Sequence, residues 1–165
     1  MKLFIIPSWY PSTARPNSGI FILEQAEALA SLSPDIRVMV STWQQDGGSL
    51  PIRILKRVVD VLAQTNNSAF SRIAERKGVH EIFSPALTWS ERLPRGGVRT
   101  LLSAHRGNLE LAAKVFGKPD LIHAHVSYPA GFIASVLSKE LHIPYLLTEH
   151  MGPFPFASMM RNGRP

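Results

Sequence analysis

The segment from Asp120 to His150, DLIHAHVSYPAGFIASVLSKELHIPYLLTEH, does most to limit how this chain can fold. A short apolar run ends in His123-Ala124-His125. A stretch with helical spacing follows, and a second apolar run ends in Thr148-Glu149-His150. Two strand-length runs joined by a helix-length crossover form a β-α-β unit, whose strands lie parallel. Titratable residues collect where each strand runs out, at the edge where open parallel sheets bind ligands.

The flanking sequence extends this pattern. Lys2 to Ile6 reads as a buried strand, and the loop PSWYPSTARPNSG after it is stiffened by Pro7, Pro11 and Pro16. From Gly19 the spacing becomes helical, with Ile22, Ala26 and Leu29 on one face and Asn17 or Ser18 as N-cap. This helix is expected to end near Ser33-Pro34. Ile36 to Thr42 reads as the second strand. Further on, Ile52 to Leu62 fits a basic amphipathic helix, Ala69 to Lys77 a short helix and Val79 to Phe83 a strand. Thr88 to Gly97 reads as loop, and Thr100 to Phe116 as a helix stopped by Gly117 and Pro119. Strands alternating with helices predict an α/β fold, a Rossmann-like parallel sheet with helices on both faces. One domain is expected over 1–150, and 151–165 reads as a loop or frayed tail.

Composition narrows the function classes. The chain has 165 residues, 45% hydrophobic and 18% charged, which suits a globular domain with a core. Without cysteine, disulfides and thiolate metal sites are excluded. The 18 Lys and Arg against 12 Asp and Glu give a net charge of +6, suited to phosphate or an anionic membrane surface, or simply to solubility. No nucleic-acid module is present, and aromatic residues do not interleave with a basic stripe, so no nucleic-acid partner is expected. The apolar run Leu3 to Ile6 is shorter than the roughly 7–15 residues of a signal peptide core, which predicts a cytoplasmic protein.

Several residues have chemistry to offer. Gly19 follows the first strand and opens the first helix, where backbone N–H groups favour phosphate, although a lone glycine is more often a plain turn residue. His123 and His125 share a strand face, and His150 ends the next strand. Three imidazoles suggest a metal, but no carboxylate cluster accompanies them, and none is expected. His123 reads as a core histidine. His125, at the strand end, is the candidate for hydrogen bonding or proton exchange. Ser127 and Pro129 read as a helix start, with Ser127 as cap. Tyr128, Glu149 and His150 fall at the same edge, as do Tyr10 and Arg15 in the loop after the first strand.

SWYPSTARPNSGIFILEQAEAL (Ser8 to Leu29) looks like the "YP … G-x-F … QA-x-AL" opening of one enzyme family, and Asp120 to His150 looks like its "D-x-x-H-x-H … P-x-G … IP … T-x-H" pattern. Together these resemble the N-terminal domain of family-four retaining glycosyltransferases of GT-B fold. Residues 44–100 carry little of the resemblance. It implies transfer of a sugar from a nucleotide-diphosphate sugar to a glycan or glycolipid acceptor, with the acceptor side formed here and the nucleotide held by a C-terminal half. By motif, Gly19 would face the donor diphosphate and His125 the reacting centre. Glu149 and His150 would line the cleft, and Tyr10, Arg15, Ser127 and Tyr128 would be acceptor or cleft contacts. No metal or other cofactor is implied.

The resemblance also implies one more strand and helix after His150, then a domain with a Glu-x₇-Glu pair, and no such pair follows His150. The chain alone is therefore expected to be inactive and to show an exposed apolar edge. It is read as a fragment, a truncated frame or half of a split enzyme. The competing reading is a non-catalytic Rossmann-like binding module or remnant. A basic helix at Ile52 to Leu62 would either pack on the sheet or allow peripheral contact with the inner face of a membrane.

Overall fold

A computed structural model describes residues 1–13, 15–43, 71–84 and 98–152. The elements run β1 (Lys2–Pro7), α1 (Ile20–Leu32), β2 (Arg37–Trp43), β3 (Arg72–Arg76), β4 (Val79–Ser84), α2 (Val98–Phe116), β5 (Leu121–His125), α3 (Phe132–Leu141) and β6 (Tyr145–Thr148). The expected helix at 52–62, loop at 88–97 and most of the tail at 151–165 lie outside the described residues.

The six strands form one sheet in the order β3-β4-β2-β1-β5-β6. All neighbours are parallel except β3 and β4. β1 is central because its residues are buried on both faces. Leu3 and Ile5 join Ile22, Leu23 and Ala26 of α1 on one side. Phe4 and Ile6 join Leu109 and Ala112 of α2, and Ile133 and Leu137 of α3, on the other. An unbroken apolar run is the signature of such a strand. The chain is thus an α/β, Rossmann-like domain with helices on both faces.

A buried polar knot fixes α2 to the sheet. The Asn108 amide Nδ2 reaches Ser41 Oγ at 2.9 Å, the Thr42 carbonyl at 2.9 Å and the Ile82 carbonyl at 3.0 Å. His105 Nδ1 lies 2.7 Å from the same Ser41 Oγ. These bonds join α2 to β2 and β4 just before both strands end.

Three expectations are corrected. Ala69 to Lys77 is not a helix. Its Arg72–Arg76 portion is the edge strand β3, paired antiparallel to β4 through a two-residue turn at Lys77-Gly78. Both turn residues have positive φ, 47° and 79°, which matches the turn twist that hairpins favour. Neither Asn17 nor Ser18 caps α1. Gly19 holds the N-cap position at φ 66°, ψ 24°, with no side-chain cap bond. Ser127 to Pro129 do not open a regular helix either. Residues Ser127–Gly131 form a wide turn with a cis Tyr128–Pro129 peptide, and the α-helix starts at Phe132. Tyr128 is extended (φ −138°, ψ 131°), as crowding by a following proline favours.

β6 carries Tyr145, Leu146 and Leu147 at 45%, 51% and 40% exposure, and among the described residues no strand pairs beyond it. No helix among the described residues is long and apolar enough to cross a membrane.

Candidate functional site

The register of the sheet builds the site. Pro7 on β1 pairs with His125 on β5, and His125 with Thr148 on β6, so three neighbouring strands end at one level. Two backbone bonds extend the alignment: Ser8 N–H to the His125 carbonyl at 3.2 Å and Val126 N–H to the Thr148 carbonyl at 2.8 Å. Val126 then turns the chain at φ 77°, ψ 137°. A β-branched residue rarely adopts positive φ, and strain of this kind concentrates at functional sites. Gly131 N–H bonds the Val126 carbonyl at 3.0 Å, and Ala130 N–H bonds the buried Ser8 Oγ at 3.3 Å. The turn is thereby tied to β1 and aims the start of α3 past the strand ends.

Three histidines gather there. The His123 and His125 ring centres are 4.2 Å apart. His125 Nδ1 lies 2.8 Å from His150 Nε2, with the two ring planes within 2° of parallel. His123 Nε2 lies 2.8 Å from Thr148 Oγ1. The edge of His150 meets the Phe21 ring of α1 at 4.6 Å between centres. His125 is fully buried, and among the described residues its Nε2 has no hydrogen-bond partner. Burial, then the neighbouring His123 and His150, push its pKa down to about 3. Burial and His150 lower His123 as well. At neutral pH His125 is therefore an uncharged imidazole, suited to hydrogen bonding and not to holding an anion by charge. No group of three His, Cys, Asp or Glu among the described residues is arranged to hold a metal ion.

Glu149 acts chiefly as a backbone clamp. Its Oε2 accepts from Ser127 N–H at 2.9 Å, and its Oε1 from His150 and Met151 N–H at 3.0 and 3.1 Å. Partial burial pushes its pKa up, but these bonds outweigh it and leave the carboxyl below its ordinary value. The clamp joins the exits of β5 and β6. It holds His150 against His125.

Gly19 stands at the N-terminus of α1. A side chain there would meet the Trp9 carbonyl oxygen at 2.3 Å and its carbon at 2.7 Å, so only glycine lets loop and helix close. The Ile22 and Leu23 N–H groups bond the Gly19 carbonyl. The earlier amides are the ones a helix leaves unused within itself, and no acidic residue occupies the first turn.

Among the sequence candidates, the structure brings His123, His125, Ser127, Glu149 and His150 together. Tyr128 is exposed on the wide turn. Tyr10 stands elsewhere. It is buried on the α1 side, and its hydroxyl donates to Glu81 Oε1 on β4 at 2.9 Å. Burial, then Glu81, raise its pKa and keep it protonated. Arg15 is exposed, and its N–H bonds Ser12 Oγ at 3.2 Å. Tyr10 and Glu81 line a groove of about 680 Å³ with Asn17, Thr42, Arg72 and Phe83. The Arg72 guanidinium lies 4.7 Å from the centre of the Phe83 ring. Sequence reasoning missed Ser8, Phe21, Glu81 and Val126. Phe21 alone left a trace, as a large apolar side chain beside the core-facing stripe of α1.

No protein-family model matches the chain. Among curated proteins it is 31% identical over 157 residues to the "Putative teichuronic acid biosynthesis glycosyltransferase TuaC" of Bacillus subtilis (strain 168). That alignment covers 91% of this chain and 36% of the relative, so the chain spans little more than a third of the length of the protein it matches.

Proposed function

We propose that this chain is the acceptor-side domain of a glycosyltransferase that moves a sugar, with retention, from a nucleotide-diphosphate sugar to a glycan or lipid-linked acceptor. The observation that carries this reading is His125, a buried neutral imidazole at the end of β5 whose Nε2 has no partner among the described residues. The similarity to a protein named as a glycosyltransferase supports it. In such a transfer the bond between the anomeric carbon and the phosphate oxygen breaks, and the diphosphate leaves with the electron pair. The acceptor oxygen bonds the same carbon on the same face and passes its proton to the departing diphosphate oxygen. His125 would hydrogen-bond the transferred sugar at that centre. The first amides of α1, behind Gly19, would face the diphosphate, where negative charge grows in the transition state. The groove beside Tyr10 and Glu81 would receive the acceptor: hydroxyl and carboxylate groups suit sugar hydroxyls, and Phe83 offers an apolar surface. Most nucleotide contacts would come from a C-terminal half, joined or separate. No metal or cofactor enters this reading.

A hybrid in which this chain replaces the matching segment of the relative provides the test, with transfer followed from labelled nucleotide sugars. His125→Ala is expected to lower turnover by about 100-fold or more, while nucleotide-sugar affinity stays within about threefold. Equal turnover in parent and variant would remove His125 from the reaction and the proposal with it.

A further inference from the structure

We propose that His150 is a positioning residue that fixes the tautomer of His125, donating from Nε2–H to His125 Nδ1 so that His125 presents an Nε2–H donor. Its catalytic meaning rests on the reading above, but the tautomer itself does not. Two ring nitrogens 2.8 Å apart must share one proton, because two lone pairs or two N–H groups would repel at that distance. Only two neutral arrangements satisfy the contact. In one, both rings carry the proton on Nδ1. In the other, both carry it on Nε2, the form neutral histidine side chains favour in water. The second avoids placing two rings in their less stable tautomer, and the geometry points to it.

His150 is built to hold this pose. Its backbone N–H is bound by Glu149 Oε1, the same carboxylate grips Ser127 on the opposite strand exit, and its ring rests against Phe21. The proton of His125 is thus placed on Nε2, the nitrogen that has no partner among the described residues. A buried N–H donor without an acceptor is costly, so the arrangement is poised for a substrate oxygen. Through His125, one exposed residue on β6's exit sets the polarity of a buried group on β5.

The test is the nitrogen spectrum of the full chain, uniformly ¹⁵N-labelled at pH 7.5, with two-bond proton–nitrogen correlations read for each imidazole. His125 is expected to show Nε2 protonated and Nδ1 as an acceptor. His150→Phe keeps a ring against Phe21 but removes the donor, and His125 should then move to averaged nitrogen shifts of mixed tautomers, with amide dispersion kept. His150→Gln, whose amide nitrogen can stand in for Nε2, should restore the parent pattern. A proton on Nδ1 in the parent, or an unchanged pure Nε2–H form in His150→Phe, would overturn the proposal. The parent spectrum alone decides the tautomer if a variant fails to fold. Because the readout needs no sugar transfer, a hybrid insensitive to His125→Ala would sink the proposed function and leave the tautomer standing.

Discussion

Gly19→Ala is expected to lower the thermal unfolding midpoint by about 6–20 °C. Two effects add. The backbone sits at φ 66°, where a residue with a side chain costs about 1–3 kcal/mol. The new methyl would also lie 2.3 Å from the Trp9 carbonyl oxygen and 2.7 Å from its carbon. Both are backbone atoms, so no rotamer change relieves the clash, and the loop must part from α1. A combined cost of about 3–5 kcal/mol falls at the upper end for single substitutions, and about 2–4 °C per kcal/mol applies at this chain length. Gly107→Ala is the control. It lies within α2, and a methyl there meets nothing within 4 Å, so it should raise stability by about 0.5–1 kcal/mol. Circular dichroism melts of the three proteins check this. A Gly19→Ala melt matching the parent would show that the tight corner between Trp9 and α1 is wrong.

The second large effect is acid sensitivity. His105 is buried against Ser41, and burial alone pushes its pKa down to about 3. Burial and neighbouring imidazoles bring His125 to about 3 and lower His123. The ordinary value in the unfolded chain is 6.5. Between pH 6.5 and 3 the unfolded chain therefore binds more protons than the folded one, and stability rises with pH across that window. The full stabilisation is present above pH 6.5 and is lost as pH falls towards 3. For each such histidine, the folding equilibrium weakens about tenfold per pH unit within the window. Denaturant titrations at pH 8, 6 and 5 should show steep loss before most carboxylates titrate. His105→Gln can keep a bond to Ser41 without a titrating ring, and should reduce the slope by about one proton. Equal stability at pH 7.5 and 4.5 would contradict the burial of these imidazoles.

Much of the fold was legible because the central strands are buried on both faces. Lys2 to Ile6, Ile36 to Thr42 and Leu121 to His125 are apolar runs of strand length, and Gly117 with Pro119 marks the end of α2. β3 was not legible. Four of its five residues are exposed, so it carries no alternating pattern, and its state depends on pairing through Lys77-Gly78. Ser127 to Pro129 gave a helix-start signal, yet Tyr128 before proline stays extended and the helix begins at Phe132. At the site, strand-end position was enough to single out His125, Glu149 and His150. Their mutual contacts were not readable, because the pairing of Thr148 with His125 is a matter of register between strands. Tyr10 illustrates the same limit: its partner Glu81 lies 71 positions along the chain.

We propose that this chain holds the acceptor and the reacting centre while most of the nucleotide is held elsewhere. Amide chemical-shift mapping of the labelled chain tests it most directly, titrating oligosaccharides in one series and UDP or GDP in another. A saccharide is expected to give saturable shifts at Tyr10, Asn17, Thr42 and Phe83, and nucleotides shifts that do not saturate below about 1 mM. Tight, saturable nucleotide binding with an unmoved groove would contradict it, for the chain would then form a donor site by itself.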